Sequence, residues 1–157
     1  MWLAKQHSNF CATKVQMHRF QQSDNNKCPS CLTAAENADH LCRCPNEERT
    51  QLLRDSMTEF KTWMAAHDNT HQELCYWIPH YILCRGQVKF ADLGPMSPAM
   101  MDIAVLQDTI GWRNFMEGRV SNKIFSLQRS HLLTSGSRMT PRRWMSTFIS
   151  HILHITH

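Results

Sequence analysis

The chain has 157 residues, the length of one ordinary domain, and its seven cysteines are an odd number that argues against a secreted disulfide scaffold. It has no leader-like N-terminal run and no apolar stretch near the roughly 20 residues that span a bilayer, so we expect a soluble protein of a reducing, intracellular compartment, nucleus or cytoplasm. The net charge of +4 is uneven, because residues 111–157 carry seven basic residues and one acidic residue, whereas the rest carries ten and twelve.

The first residues read as the tail of a preceding helix, and the segment after them contains a candidate metal site. Cys28-Pro29-Ser30-Cys31 forms a Cys-x2-Cys turn that can direct two thiolates to one metal. His40 is followed four residues later by Cys44, which places two ligands one helical turn apart. The sequence therefore predicts a structural zinc site made of Cys28, Cys31, His40 and Cys44, within an N-terminal helix and zinc-binding lobe at residues 1–45.

Three alternatives to this ligand set stay open at the level of sequence. Cys42 is only two residues from His40 and would point the opposite way on a helix, so it enters the set only through a non-helical hook. Cys11 could replace one of the four ligands. The cysteines could also be reduced thiols that pack as small apolar groups without any metal.

Residues 46–157 contain cap signals and apolar residues spaced at three and four positions, which predict a series of helices. The predicted N-terminal caps are Asn46, Thr70, Ser97, Ser121 and Thr140. Thr70 with Glu73 forms a capping-box pattern, and Pro79 is expected to kink or split the helix that follows.

The rest of this region fits the same pattern. Gly111 makes an interruption possible, but the apolar periodicity continues until Gly118. Only residues 87–91 offer even a short strand-like pattern. The last helical pattern runs to the end of the sequence without a terminator, so we expect a fragment of a longer chain. The predicted fold class is mainly α, an irregular helical array with a small zinc-binding lobe near the N-terminus.

The basic residues near the C-terminus suit a polyanion such as nucleic acid, although an ordinary solvated helix face has the same composition. The candidate nucleic-acid-binding residues are Arg113, Arg119, Lys123, Arg129, Arg138, Arg142 and Arg143. Trp63, Trp77, Trp112 and Trp144 lie at apolar-stripe positions, so we expect core packing rather than base stacking.

Catalysis is not expected. A zinc deaminase needs a His-x-Glu sequence, and the upstream candidate His7-Ser8-Asn9 lacks the carboxylate. His67 and His71 have metalloprotease spacing, but a helix start falls between them. Cys75 or Cys84 beside His80 would be the local option for a cysteine hydrolase, in an apolar helix where cysteine is usually inert.

Two stretches carry a resemblance to a known family. Cys28-Pro29-Ser30-Cys31, Glu36, Asp39-His40-Leu41 and Cys44-Pro45 resemble the zinc-binding segment that follows the polymerase in many retrotransposon reverse transcriptases. The run from Ile110 to Ser121, Gly136-Ser137-Arg138 and Trp144 are similar to the C-terminal region of retroelement-derived open reading frames of diatom-like algae.

The resemblance implies an accessory segment of a retroelement protein, whose partners would be nucleic acid and the polymerase portion. The chain contains no Asp-Asp pair, so the metal site of a polymerase is not expected. A protein-interaction or folding module without nucleic-acid binding, or a relic without function, is the alternative.

Overall fold

The protein is mainly α-helical, as the sequence predicted. The computed structural model describes residues 12–66 and 69–155, and these contain eight α-helices and one short 3-10 helix at Phe90–Asp92. The α-helices are α1 (Lys14–Arg19), α2 (Ala38–Arg43), α3 (Glu47–Ala65), α4 (Gln72–Leu83), α5 (Pro98–Ile110), α6 (Trp112–Met116), α7 (Asn122–Thr134) and α8 (Pro141–Ile155). Among the described residues, no helix has the length and apolar character required to cross a membrane.

The chain divides into two compact units, Met1–Arg54 and Asp55–His157, with the division inside α3. In the first unit, Thr13 caps α1 by accepting a hydrogen bond from the backbone N–H of Gln16. The Glu36 carboxylate accepts from the N–H of Lys14 at 2.9 Å, and the Glu36 carbonyl accepts from the N–H of Val15. These contacts attach α1 to the segment that precedes α2.

The second unit has an aromatic core. Phe148 on α8 lies against Phe60 of α3 and Phe115 of α6, with ring centroids 5.9 and 6.3 Å apart, and it stacks on Trp144 at 4.8 Å. All four side chains are at most 1% exposed. Burial of large aromatic side chains supplies much of the hydrophobic stabilisation of a domain this size.

Four of the five predicted helix caps are confirmed, since Asn46, Ser97, Ser121 and Thr140 each accept a hydrogen bond from a backbone N–H in the first turn of the following helix. Ser97 is also followed by Pro98 at the first helical position, as predicted. These caps depend on neighbours within three residues, which is why the local sequence identifies them.

The capping box predicted at Thr70 is wrong. His71 caps α4 instead, because its Nδ1 accepts from the N–H of Glu73. The Thr70 hydroxyl accepts from Trp144 Nε1 at 2.9 Å, and the Glu73 carboxylate accepts from the N–H and hydroxyl of Ser97. Tertiary partners therefore take both side chains that the local pattern had paired with each other.

The structure decides two positions at which the sequence left alternatives open. Helix α4 continues through Pro79 and ends at Leu83, so the proline does not split it. Gly111, with a φ of 90° and a ψ of 151°, separates α5 from α6, although the apolar periodicity continues across it. Only glycine adopts this backbone conformation readily, so the break is set by one residue.

The weak strand pattern at residues 87–91 forms no strand. Its end enters the 3-10 helix Phe90–Asp92, and the Asp108 carboxylate accepts from the N–H groups of Phe90 and Ala91 at 2.7 and 3.0 Å. The Asp108 side chain from α5 thus satisfies two backbone N–H groups, which in a sheet would donate to the carbonyls of a neighbouring strand.

We expect His71 to make the stability of the second unit depend on pH. Its half-buried ring lies edge-to-face against His131, with centroids 5.6 Å apart. Burial lowers the pKa of His71 below its usual value of 6.5, and the charge of His131 lowers it further. As the pH falls, His71 is therefore protonated at a higher pH in the unfolded chain than in the folded protein. Neutral His71 therefore contributes to the free energy of unfolding. This contribution is complete above about pH 6.5 and is lost as the pH falls from there towards the pKa of His71 in the folded state.

Urea unfolding at about pH 7.5 and about pH 5.5 tests this expectation across the range in which histidine titrates. The variant His71→Asn keeps a capping oxygen but cannot titrate, so it should lose less unfolding free energy on acidification than the wild type. The matched control is His80→Asn, because the ring of His80 is exposed. Identical pH dependence in wild type and His71→Asn would contradict the expectation.

Candidate metal centre

The Cys28–Cys31 turn is formed by backbone hydrogen bonds. The N–H of Cys28 donates to the carbonyl of Ala34, and the carbonyl of Cys28 accepts from the N–H of Leu32, both at 2.8 Å. Lys27 and Ala35 form an isolated antiparallel bridge that closes the loop. Leu32 has a φ of 58°, which is the left-handed conformation that lets the chain reverse directly after Cys31.

The other two ligands lie on α2 and at its end. Asn37 caps α2 by accepting from the N–H of His40 at 2.7 Å, so the cap acts on a ligand residue directly. Cys44 is the C-terminal cap residue of α2, four positions after His40. The predicted helical spacing therefore places both side chains on the side of α2 that faces the turn.

The structure brings the four predicted ligands together. The ligand atoms of Cys28, Cys31, His40 and Cys44 all lie within 4.8 Å of one another. The two sulfur atoms of Cys28 and Cys44 are 3.8 Å apart, and the sulfur of Cys31 is 3.4 Å from Nε2 of His40. Tetrahedral zinc with bonds of about 2.3 Å to sulfur and about 2.0 Å to nitrogen requires separations of about 3.8 and 3.5 Å. The two distances Cys28–Cys44 and Cys31–His40 thus match those of a tetrahedral zinc site, and the four ligand atoms together could hold a metal ion.

The protonation of the thiols depends on their surroundings. Cys28 and Cys44 are 0% and 1% exposed, and burial raises the pKa of Cys44, with the adjacent Cys28 thiol adding to the rise. A hydrogen bond from the Thr33 hydroxyl, together with backbone N–H groups of Ala34 and Thr33, lowers the pKa of Cys31 to about 5. A cation in the cluster would supply the charge that stabilises a buried thiolate at Cys44.

Neither alternative cysteine enters the cluster in the described part of the chain. The group of possible ligands contains Cys28, Cys31, His40 and Cys44, and Cys42 is not a member of it. Cys11 lies outside the described residues. Cys42 is on α2 two positions after His40, where the helix directs it away from that ligand.

Three of the seven candidate nucleic-acid-binding residues contact carboxylates. Arg113 and Arg119 both contact Glu117, with nitrogen–oxygen distances of 3.3 and 3.9 Å, and the Glu117 side chain is only 8% exposed. Lys123 contacts Asp102 at 2.9 Å. Part of the positive charge predicted from the sequence is therefore neutralised within the second unit.

The other four candidates are Arg129, Arg138, Arg142 and Arg143. All four side chains are exposed, and none has an ion-pair partner among residues 12–66 and 69–155. Arg142 and Arg143 lie in the first turn of α8. Their positive charges interact unfavourably with the helix dipole there, at a cost of about a few tenths of a kcal/mol. These four arginines remain available for contacts with an anionic partner.

Two of the four tryptophans considered for base stacking are buried. Trp112 is 7% exposed and Trp144 is 0% exposed, and the Trp112 indole donates to the carbonyl of Tyr81 at 2.8 Å. Trp63 and Trp77 are half-buried, with Trp63 lying against His151 at 4.7 Å between ring centroids. Core packing therefore accounts for Trp112 and Trp144.

The groups considered for cysteine hydrolase chemistry contact backbone of their own surroundings. The Cys84 thiol donates to the carbonyl of Tyr81 at 3.0 Å, and Nδ1 of His80 lies 2.7 Å from the carbonyl of Tyr76. The Cys75 thiol donates to two backbone carbonyls. Among the histidines considered for metal-dependent catalysis, His7 and His67 lie outside the described residues.

Comparison of the chain with protein-family models, with curated proteins and with solved structures gives no significant match.

Proposed function

We propose that Cys28, Cys31, His40 and Cys44 bind one zinc ion in a structural role. The observation that carries this proposal is the convergence of three sulfur atoms and one imidazole nitrogen within 4.8 Å. Thiolate and imidazole ligands suit zinc, and reduced cysteines at this spacing are typical of zinc sites. Four protein ligands complete a tetrahedral shell and leave no position for an activated water, so the metal would stabilise the first unit and would not catalyse a reaction.

Elemental analysis of protein purified without added metal tests the zinc proposal. We expect about one zinc per chain, as a single four-ligand site predicts. The double variant Cys28→Ser, Cys44→Ser should contain almost none. Cys42→Ser is the matched control, because it removes a neighbouring thiol that is outside the cluster and should leave the zinc content unchanged. Absence of zinc from the wild type, or equal zinc in the double variant, would contradict the proposal.

We further propose that the protein is a non-catalytic accessory segment of a reverse-transcriptase-type retroelement protein that contacts nucleic acid. The resemblance of the cysteine–histidine segment and of the Ile110–Ser121 run to retroelement proteins supports the assignment to this class of protein. The four exposed arginines Arg129, Arg138, Arg142 and Arg143 support the contact, since exposed guanidinium groups bind phosphate oxygens in bidentate geometry. Binding through phosphate would be weak and tolerant of sequence.

The salt dependence of binding distinguishes this proposal from an interaction or folding module. Each neutralised phosphate of duplex DNA contributes about 0.9 to the slope of log affinity against log salt, so four contacts should give a slope near −3.6. We expect changing Arg129, Arg138, Arg142 and Arg143 to glutamine to remove most of the slope, measured by fluorescence anisotropy with single- and double-stranded DNA and RNA.

A charge-matched control separates local contacts from net charge. The four exposed cations Lys27, Arg54, Lys61 and Lys89 can be changed to glutamine together, which removes the same charge elsewhere on the chain. This control should retain most of the slope. Equal losses in both quadruple variants, or no binding by folded, zinc-loaded wild type at low salt, would contradict the proposed interface and favour the protein-interaction module.

A further inference from the structure

The four candidate metal ligands come from two separate segments of the first unit. Cys28 and Cys31 lie on the turn, whereas His40 and Cys44 lie on α2 and its C-terminal cap. The 3.8 Å separation between Cys28 and Cys44 therefore depends on how the turn is held against α2. A contact that joins these two segments would set the geometry of the metal site.

Arg49, in the first turn of α3, contacts both segments. Its Nε donates to the Ser30 hydroxyl at 2.8 Å, and Ser30 lies between the two cysteines of the turn. One terminal nitrogen donates to the carbonyl of Leu41 at 3.5 Å, and Leu41 is the residue after His40 on α2. The other terminal nitrogen lies 3.7 Å from the carboxylate of Glu36.

The surroundings hold this guanidinium in place. Glu36 is 7% exposed, and its carboxylate also accepts from the N–H of Lys14, so its position is fixed from a second direction. Asn46 caps α3 through its Oδ1, which accepts from the N–H of Arg49, and its Nδ2 donates to the Ser30 carbonyl at 2.9 Å. Helix α3 thus begins against the turn, and Arg49 extends from that point to α2.

We propose that Arg49 is a positioning residue of the metal centre, which holds the Cys28–Cys31 turn and α2 at the separation that one metal ion requires. This inference rests on the proposed metal site and adds a residue outside the ligand set. Groups behind the first ligands orient them and often affect metal affinity about 10- to 100-fold. Arg49 acts here through Ser30 and Leu41, because the hydrogen bonds of its side chain go to these two residues and not to a ligand side chain.

The chemistry of arginine explains why this position requires it. Three nitrogens of one rigid, planar group contact three different segments at Ser30, Leu41 and Glu36. Lysine keeps the positive charge but offers a single nitrogen on a flexible stem. Arg49→Lys therefore retains the attraction to Glu36 and loses the rigid connection between the turn and α2.

Cobalt binding to the metal-free chain of 157 residues tests the proposal, and competition with zinc gives the zinc affinities. We expect Arg49→Lys to bind cobalt and zinc about 10- to 100-fold more weakly than the wild type, while the absorption bands of tetrahedral, thiolate-bound cobalt are retained. Ser30→Ala should also weaken binding, and the double variant should be no weaker than Arg49→Lys alone, because both changes break the same contact. Arg54→Lys is the matched control, since its exposed side chain contacts the exposed Glu47 on the same helix.

The possible results separate the inference from the proposal on which it rests. Wild-type affinity in both Arg49→Lys and Ser30→Ala would overturn the positioning role while leaving the metal site intact. Equal weakening of metal binding in Arg49→Lys and in the control Arg54→Lys would also overturn it, because that result describes a general loss of stability of the first unit and not a positioning role. A wild type that binds no cobalt would contradict the metal centre itself and with it this role of Arg49. If Arg49→Lys does not fold, Ser30→Ala alone decides the matter.

Discussion

Removal of the proposed zinc ion by a chelator, or the single change Cys28→Ser, is expected to unfold the first unit. The buried apolar side chains in its described residues are Cys28, Ala38 and Cys44, and two of these are candidate ligands. The apolar burial within residues 12–54 alone cannot offset the conformational entropy of ordering those residues, and chains of about 40 residues usually need a metal or disulfides. Structural zinc supplies on the order of 10 kcal/mol at neutral pH, so its loss should exceed the stability of this unit.

Hydrogen exchange measured by mass spectrometry would locate the effect. In the metal-loaded wild type, amides of α2 and of the turn around Cys28 should be protected from exchange, and a chelator should remove that protection. The amides of α4, α5 and α7 in the second unit should stay protected, because their core contains no candidate ligand. Cys42→Ser serves as the control with wild-type protection. Unchanged exchange in α2 after complete metal removal would show that the first unit folds without metal.

The sequence predicted the features that depend on near neighbours. The caps at Asn46, Ser97 and Ser121 and the two ligand pairs, Cys28 with Cys31 and His40 with Cys44, follow from spacings of two to four residues within one turn or helix. Helix periodicity is also local, so the mainly α fold was predicted correctly. Residues this close in sequence have few possible relative positions, and that limits the error of the prediction.

Contacts between distant residues were missed for the corresponding reason. Arg49 and Ser30 are 19 positions apart, and each resembles an ordinary surface residue in its own segment. The fully buried Gln128 accepts from the N–H of His71, 57 positions away, although a glutamine within an apolar helical pattern usually indicates an exposed position. No local pattern identifies such pairs, because a donor or acceptor needs a protein partner only where the fold removes it from water.

The seven candidate cations illustrate the same limit for function. Their charge is visible in the sequence, as is the spacing of four residues between Arg113 and Glu117, but the ion pair of Lys123 with Asp102, 21 positions away, depends on the folded arrangement. Ion pairing separates the other three from Arg129, Arg138, Arg142 and Arg143, which have no ion-pair partner among the described residues. Net charge alone predicts the sign of the partner's charge, whereas the fold decides which side chains are available to that partner.

Trp144→Ala is expected to produce the largest loss of stability among core changes in the second unit. Trp144 is fully buried, stacks on Phe148, lies against Trp63 at 5.9 Å between ring centroids, and donates from Nε1 to the Thr70 hydroxyl. The change would open a large cavity and leave the 4% exposed Thr70 without this donor. Truncation of a buried tryptophan costs about 3–5 kcal/mol, and a lost buried hydrogen bond is part of that cost.

Urea unfolding followed by circular dichroism measures this loss, and two further variants separate its causes. Trp144→Phe keeps a ring for Phe148 to stack on but removes the donor, so it should cost less than Trp144→Ala and still more than about 1 kcal/mol. Tyr76→Ala is the surface control, because this aromatic side chain is 57% exposed, and it should cost less than about 1 kcal/mol. If Trp144→Ala costs no more than Tyr76→Ala, the indole does not occupy the core position described here. Nucleic-acid affinity of folded Trp144→Phe should equal that of the wild type, because a side chain with no exposed surface cannot stack on a base.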